Sequence, residues 1–155
     1  MPSPVGRLSL VAADDKLVQI AMEGQLVGSI APTMPNPVLA ETRRQLEAYF
    51  EGRLRTFDLP LGAIGTPFRE RVWRALMRVP FGGTCAYMDV ANTLGAPKAV
   101  RAIGGAIGKN PIGIVVPCHR VVGRDGSMTG YAGGVERKVW LLDHEARHLA
   151  AHGPA

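Results

Sequence analysis

The sequence predicts an α/β fold of the α+β kind, in two parts. A small strand-and-helix domain spans residues 1–62, and a mainly helical domain with a helix-turn-helix spans residues 63–155. Three observations lead there. Two short apolar segments near the N-terminus flank a polar turn, as in a hairpin. Later segments of helical period open on Asn-Pro or Thr-Pro and close on glycine. Between the halves lies the linker-like stretch Gly62-Ala63-Ile64-Gly65.

Each element follows in order. Gly6 to Val11 and Leu17 to Met22 read as strands around Ala13-Asp14-Asp15. Asn36 caps a helix with Pro37 in its first position; Leu39, Thr42, Leu46 and Tyr49-Phe50 recur at helical spacing, and Gly52 ends it. Phe57 to Leu61 is a short extended piece. Thr66-Pro67 restarts a helix with Phe68, Val72, Ala75-Leu76 and Val79 on its apolar face. Arg69, Arg71, Arg74 and Arg78 are interleaved as a solvated basic face, and Pro80-Phe81-Gly82-Gly83 stops the helix.

Tyr87 to Leu94, a turn at Gly95-Ala96-Pro97, and Lys98 to Gly108 form a helix-turn-helix pattern. The second helix is rich in alanine and glycine around Arg101. Glycine costs helix stability, so a close approach should offset it, either to another helix or to a nucleic-acid groove. An apolar, strand-like run then leads through Pro117 to Cys118. Val121-Val122 and Gly123 to Gly126 read as a strand end and turn, and Gly130 to Gly134 as a glycine-rich loop around Tyr131. The last helix runs from Val135 to Leu149 with Val139, Leu141-Leu142 and Ala146 inward, before a frayed tail from Ala150 to Ala155.

Composition narrows the class. At 46% hydrophobic and 20% charged residues, the 155-residue chain is globular. No apolar run approaches the roughly 20 residues of a membrane span. Met1-Pro2-Ser3-Pro4 lacks the basic start and apolar core of an export signal. A reducing cytoplasm is therefore expected, with Cys85 and Cys118 as thiols. The net charge of +5 and pI near 9.7 suit a polyanionic partner without singling one out.

Cys118 is the candidate nucleophile and His119 the candidate base, with Glu145 or Asp143 to orient the imidazole. Such a set works because the imidazole takes the thiol proton while the carboxylate holds its tautomer. On an extended strand, neighbouring side chains point to opposite sides, so Cys118 and His119 would need a helical turn or a bridging water. A bare Cys-His pair is more often a core cysteine beside a structural histidine. The scattered histidines and two distant cysteines offer no metal-ligand spacing, and neither a metal nor a cofactor is expected.

Taken together, the segments from Gly65 to Glu145 resemble the O6-alkylguanine-DNA alkyltransferases. They are Gly65-Thr66-Pro67-Phe68, Val72-Trp73, Pro80-Phe81-Gly82, Arg101-Ala102-Ile103-Gly104, Asn110-Pro111, Pro117-Cys118-His119-Arg120-Val121, Gly130-Tyr131-Ala132-Gly133-Gly134, and Leu141-Leu142 with Glu145. The Pro-Cys-His-Arg block followed by the tyrosine-glycine loop is highly specific. Ser3 to Gly6 and Gln45 to Phe50 resemble the family's first domain more loosely.

The resemblance implies a winged-helix-like helix-turn-helix and an activity. The cysteine takes the alkyl group from O6 of guanine (and O4 of thymine) in double-stranded DNA, and is not regenerated. It makes Cys118 the acceptor, His119 a base acting through water and Glu145 its holder. Asn110 braces the turn, and Tyr87 sits near the rotated nucleotide. Arg101 enters the stack; Ala102, Gly105, Lys109 and Arg120 join it at the DNA. Tyr131, Ala132, Val121 and Met88 line the pocket. Because O6 faces the pairing partner, the base must be flipped out, and an inserted side chain offsets part of that cost. A small-residue helix suits a narrow minor groove, where basic side chains contact phosphates without reading sequence. The resemblance further implies a monomer, leaving cooperative assembly on DNA open.

The chain departs from the pattern at Ala86, where many members carry serine, and at Met88, where a small residue is common. Ala132 stands where some members have a serine that contacts O6. The N-terminal part lacks zinc-binding ligands found in some members. The rival readings are an alkyltransferase-like protein that only senses damage, which would lack the acceptor cysteine, and a cysteine hydrolase acting on small substrates.

Overall fold

The structure is a computed structural model describing residues 1–25, 27, 36–128 and 130–152. Strands β1 (Leu8–Ala13) and β2 (Lys16–Met22) form an antiparallel hairpin, with Leu8 opposite Met22 and a bulge at Val11/Ala12. Asp14 turns it at φ 55°. The first strand starts two residues later than its apolar pattern suggests. Gly6 sits at φ 97° and closes a turn by donating its N–H to the Ser3 carbonyl at 3.0 Å.

Helix α1 (Pro37–Phe50) begins where Asn36 accepts the Val38 N–H at 2.8 Å. Helix α2 (Pro67–Leu76) is capped by Thr66, which accepts the Arg69 N–H at 3.2 Å. It ends at Leu76, and residues 77–79 continue as turns rather than helix. Helices α3 (Tyr87–Thr93) and α4 (Val100–Gly108) flank a turn with Gly95 at φ 67°. α4 starts at Val100 instead of Lys98. Both helices pack on α2, where the Trp73 indole N–H donates to the Ala106 carbonyl at 2.8 Å. Strands β3 (Cys85–Ala86) and β4 (Val121–Val122) pair in parallel, and α5 (Val135–His152) closes the fold. The expected frayed tail is helical to His152; residues 153–155 lie outside the described residues.

α5 corrects the expected inward face. Val139 is 45% exposed and Ala146 is exposed, while Leu142 is half-buried. The buried residues are Lys138, Leu141, His144 and Glu145. Apolar periodicity misplaced the face because three of its four positions are polar, each with a buried hydrogen-bond partner.

The N-terminal hairpin is tied to the end of its own half and to the second half. Leu17 donates its N–H to the Pro60 carbonyl at 2.8 Å, and Ile20 donates to the Pro111 carbonyl at 2.9 Å. One buried apolar cluster runs through both halves, including Leu17, Ile20, Leu46, Leu76, Ile103, Ile112 and Leu141. No helix among the described residues is long and apolar enough to cross a membrane.

Candidate active site

The segment from Asn110 to Arg120 is not a strand. Asn110 ties its two ends together, accepting the Ile112 N–H at 3.0 Å and donating to the Val116 carbonyl at 2.9 Å. Ile114 lies at φ 73°, a left-handed conformation that reverses the chain. The Cys118 N–H then donates to Val116 at 2.8 Å, and the Arg120 N–H to Pro117 at 3.0 Å. Cys118–Arg120 is a 3₁₀ turn, the helical turn the chemistry needs. Pro117 could not donate to a ladder, and the asparagine loop satisfies the backbone locally. The turn carries Cys118, His119 and Arg120 inward together; all three are buried.

Their focus is Glu145, fully buried on α5. Its Oε2 lies 2.7 Å from His119 Nε2 and accepts from the Tyr49 hydroxyl at 2.6 Å and Arg120 Nη2 at 3.0 Å. Oε1 accepts from Arg120 Nε at 2.9 Å and the Gly82 N–H at 3.1 Å. Asp143, the other carboxylate that the sequence pattern offers His119, is surface-exposed and pairs with Arg147.

The electrostatics follow. Burial alone would push the Glu145 carboxyl up, but the hydrogen bonds and charges of His119 and Arg120 hold it well below the usual carboxylate range. It is therefore a carboxylate, which requires His119 Nε2 to carry the donated proton. Burial lowers the His119 pKa against the pull of Glu145, so the imidazole is neutral near pH 7. Nδ1 is then a free base. It is the one buried side-chain nitrogen or oxygen among the described residues without a hydrogen-bond partner.

Burial raises the Cys118 thiol, while hydrogen bonds from Asn110 and Tyr131 and the Lys138 charge pull it back. The Lys138 ammonium is buried and donates to the Val121 carbonyl at 2.6 Å. A thiol with this balance is neutral at rest, and it ionises when its proton has somewhere to go.

The other expected residues fall in two places. Arg101, Ala102, Gly105 and Lys109 are exposed on or just after α4. β-carbons placed on Gly104, Gly105 or Gly108 would touch nothing within 4 Å, so among the described residues no other helix packs against this smooth face. Tyr87 and Met88 are half-buried at the start of α3; Val121 is buried, Tyr131 half-buried and Ala132 exposed. Arg120 is corrected: it is 6% exposed, spends two of its nitrogens on Glu145, and donates Nη1 to the Val79 carbonyl at 2.7 Å. A guanidinium so enclosed cannot reach a phosphate.

Residue-type reasoning passed over Tyr49 and Lys138. Lys138 had a usable signal: it shares one helical face with Leu141 and Glu145, at spacings of three and four. Tyr49 had none, because its partner lies 96 residues away.

Comparison with known proteins finds relatives along most of the chain. Residues 67–147 match the model of the 6-O-methylguanine DNA methyltransferase DNA binding domain, and residues 1–63 match that of the ribonuclease-like domain of the same enzymes. The methylated-DNA--protein-cysteine methyltransferase of Mycolicibacterium paratuberculosis is 47% identical over 96% of this chain and 92% of its own. The constitutive Bacillus subtilis protein of the same name is 41% identical over 92% and 91%. The crystal structure of Mycobacterium tuberculosis OGT in complex with DNA superposes with a TM-score of 0.87 at 43% identity, covering all of this chain and 93% of that one. Matched in order along both halves, the chain belongs to the 6-O-methylguanine DNA methyltransferase family.

Proposed function

We propose that this chain repairs double-stranded DNA by moving alkyl groups from O6 of guanine, and O4 of thymine, irreversibly onto its own Cys118. The observation that carries this reading is the unpartnered Nδ1 of His119, adjacent in sequence to a buried thiol and with the opposite ring nitrogen held by Glu145. That is a base prepared to take one proton. The family membership and the similarity to a DNA-bound relative support the substrate.

The thiol proton passes through a water to His119 Nδ1. Sγ attacks the alkyl carbon in line as the carbon–O6 bond breaks. The guanine anion takes up a proton, which the imidazolium can return, so the products are a thioether and guanine. Tyr131 and Asn110 hold the sulfur, and Lys138 steadies its developing charge. Tyr131, Val121, Met88 and Ala132 bound the pocket for the flipped base, with Tyr87 at the nucleotide's edge. Because Ala132 brings no hydroxyl, leaving-group contacts fall to backbone N–H groups and Tyr131.

α4 meets the minor groove through Ala102 and Gly105, with Lys109 at a phosphate and Arg101 filling the space the base leaves. The protein acts as a cytoplasmic monomer, divided near residue 62, with no metal or cofactor because the sulfur itself carries the group away.

The test is a duplex carrying labelled O6-methylguanine. Label moves to the protein in at most one equivalent and not to Cys118→Ser. Repeated turnover, or transfer to that variant, would overturn the reading. Binding without transfer would make it a sensor of damage.

A further inference from the structure

We propose that Tyr49, on α1 in the N-terminal half, is a positioning residue for the alkyl transfer, acting through Glu145 on His119. The inference deepens the reading of Cys118 as acceptor and rests on it. It gives the N-terminal half, which among the described residues supplies no other side chain to the Glu145 carboxylate, a part in the chemistry.

The geometry is specific. The Tyr49 ring is fully buried among Phe50, Phe57, Phe81 and His144. Its hydroxyl donates to Oε2 of Glu145 at 2.6 Å, and His119 Nε2 contacts the same oxygen at 2.7 Å. Packing alone would be served as well by phenylalanine, whereas a buried hydroxyl needs a partner. Tyr49 could have met a backbone carbonyl; it meets the one oxygen that holds the base.

Burial and the Glu145 charge raise the phenol far above its usual range, so Tyr49 always donates. A donor on Oε2 has two effects. It stops the carboxylate rotating away from His119, and it drains charge from the oxygen that would otherwise raise imidazole basicity. Glu145, Arg120 and Lys138 are the charged groups acting on His119; Glu145 raises its pKa and the two cations lower it. Tyr49 works on the same balance through the shared carboxylate oxygen, keeping His119 free to accept a proton near neutrality.

The experiment compares pH profiles. Transfer from O6-benzylguanine is measured in single turnover, and Cys118 alkylation by iodoacetamide is followed by mass spectrometry, for the wild type and Tyr49→Phe. The acid-side midpoint should move up by about half a unit, because a donor to a charged partner has been removed. A protein carrying 3-fluorotyrosine at position 49 keeps the shape but donates more strongly, and its midpoint should move down. Unmoved midpoints, or shifts of the same sign in both variants, would overturn the proposal. If the wild type takes iodoacetamide with these shifts but accepts nothing from O6-benzylguanine or damaged duplex, the transfer reading fails and the coupling through Glu145 stands.

Discussion

His119 Nε2 and Glu145 Oε2 lie 2.7 Å apart with both side chains fully buried. One oxygen thereby selects the imidazole tautomer, and the tautomer leaves Nδ1 as the acceptor. Glu145 also balances Arg120, so one carboxylate serves both the chemistry and the packing of charge.

Glu145→Gln should therefore fail in two ways. Arg120 would keep its burial and lose its counter-charge, costing about 3–5 kcal/mol of stability. Transfer should fall by about 100-fold or more as the base loses its orientation. Urea unfolding and single-turnover kinetics measure the two effects; a stable protein with full transfer would refute this account of the site.

Arg120→Ala should destabilise by a similar amount, because Glu145 is then the uncompensated charge. The affinity of the folded protein for undamaged duplex, and its salt dependence, should stay the same. A reduced salt slope would place Arg120 at a phosphate after all.

Arg101→Ala should slow repair of duplex about tenfold or more while leaving reaction with free O6-benzylguanine within about twofold. Extrusion costs a few kcal/mol, and only the duplex requires it. Equal slowing of both substrates would remove Arg101 from the flipping step.

The pH dependence follows from three groups. His119 sits below its ordinary 6.5 and Cys118 above its ordinary 9.0. Transfer should lose rate only well below pH 6.5, where the folded protein itself at last protonates His119, and show no rise between pH 7 and 8.5 of the kind an ordinary thiol gives. Stability should also fall below pH 6.5. There the unfolded chain protonates His119 and His144, while the folded protein holds both neutral; the state binding more protons gains as pH drops. Thermal unfolding at pH 7 and pH 5 tests the sign.

Gly133→Ala probes the tyrosine loop. A β-carbon there would lie 2.5 Å from Met22 Sδ and 2.7 Å from Tyr131 Cε2. Relieving the overlap displaces Tyr131 from Cys118. Transfer should drop about tenfold or more, with about 1–3 kcal/mol lost from overpacking. Unchanged kinetics would show that Tyr131 does not position the sulfur.

Local signals in the chain were reliable where one residue type has one strong local use. Asn36-Pro37 and Thr66-Pro67 opened helices because cap and proline act within a single turn. They were unreliable where polar groups are buried. Of the α5 face that periodicity predicts, Leu141 is buried and Leu142 half-buried, but Val139 and Ala146 are exposed, since periodicity cannot anticipate that Lys138, His144 and Glu145 find partners on other elements. The run before Cys118 looked extended because its valines and isoleucines favour strands; Asn110, reaching across six residues, and the left-handed Ile114 fold it back.

The order and spacing of the motifs were sufficient to place this chain in its family and to name Cys118, His119 and Glu145, because those features are contiguous or carried on one helix. Which side chains share the Glu145 carboxylate was decided by tertiary contact. Tyr49 arrives from the other half of the molecule, and Arg120 turns inward to neutralise Glu145 instead of outward to DNA. The reason is physical: a buried charge must be satisfied by whatever donors the fold brings within about 3 Å, and those donors need not be neighbours in sequence.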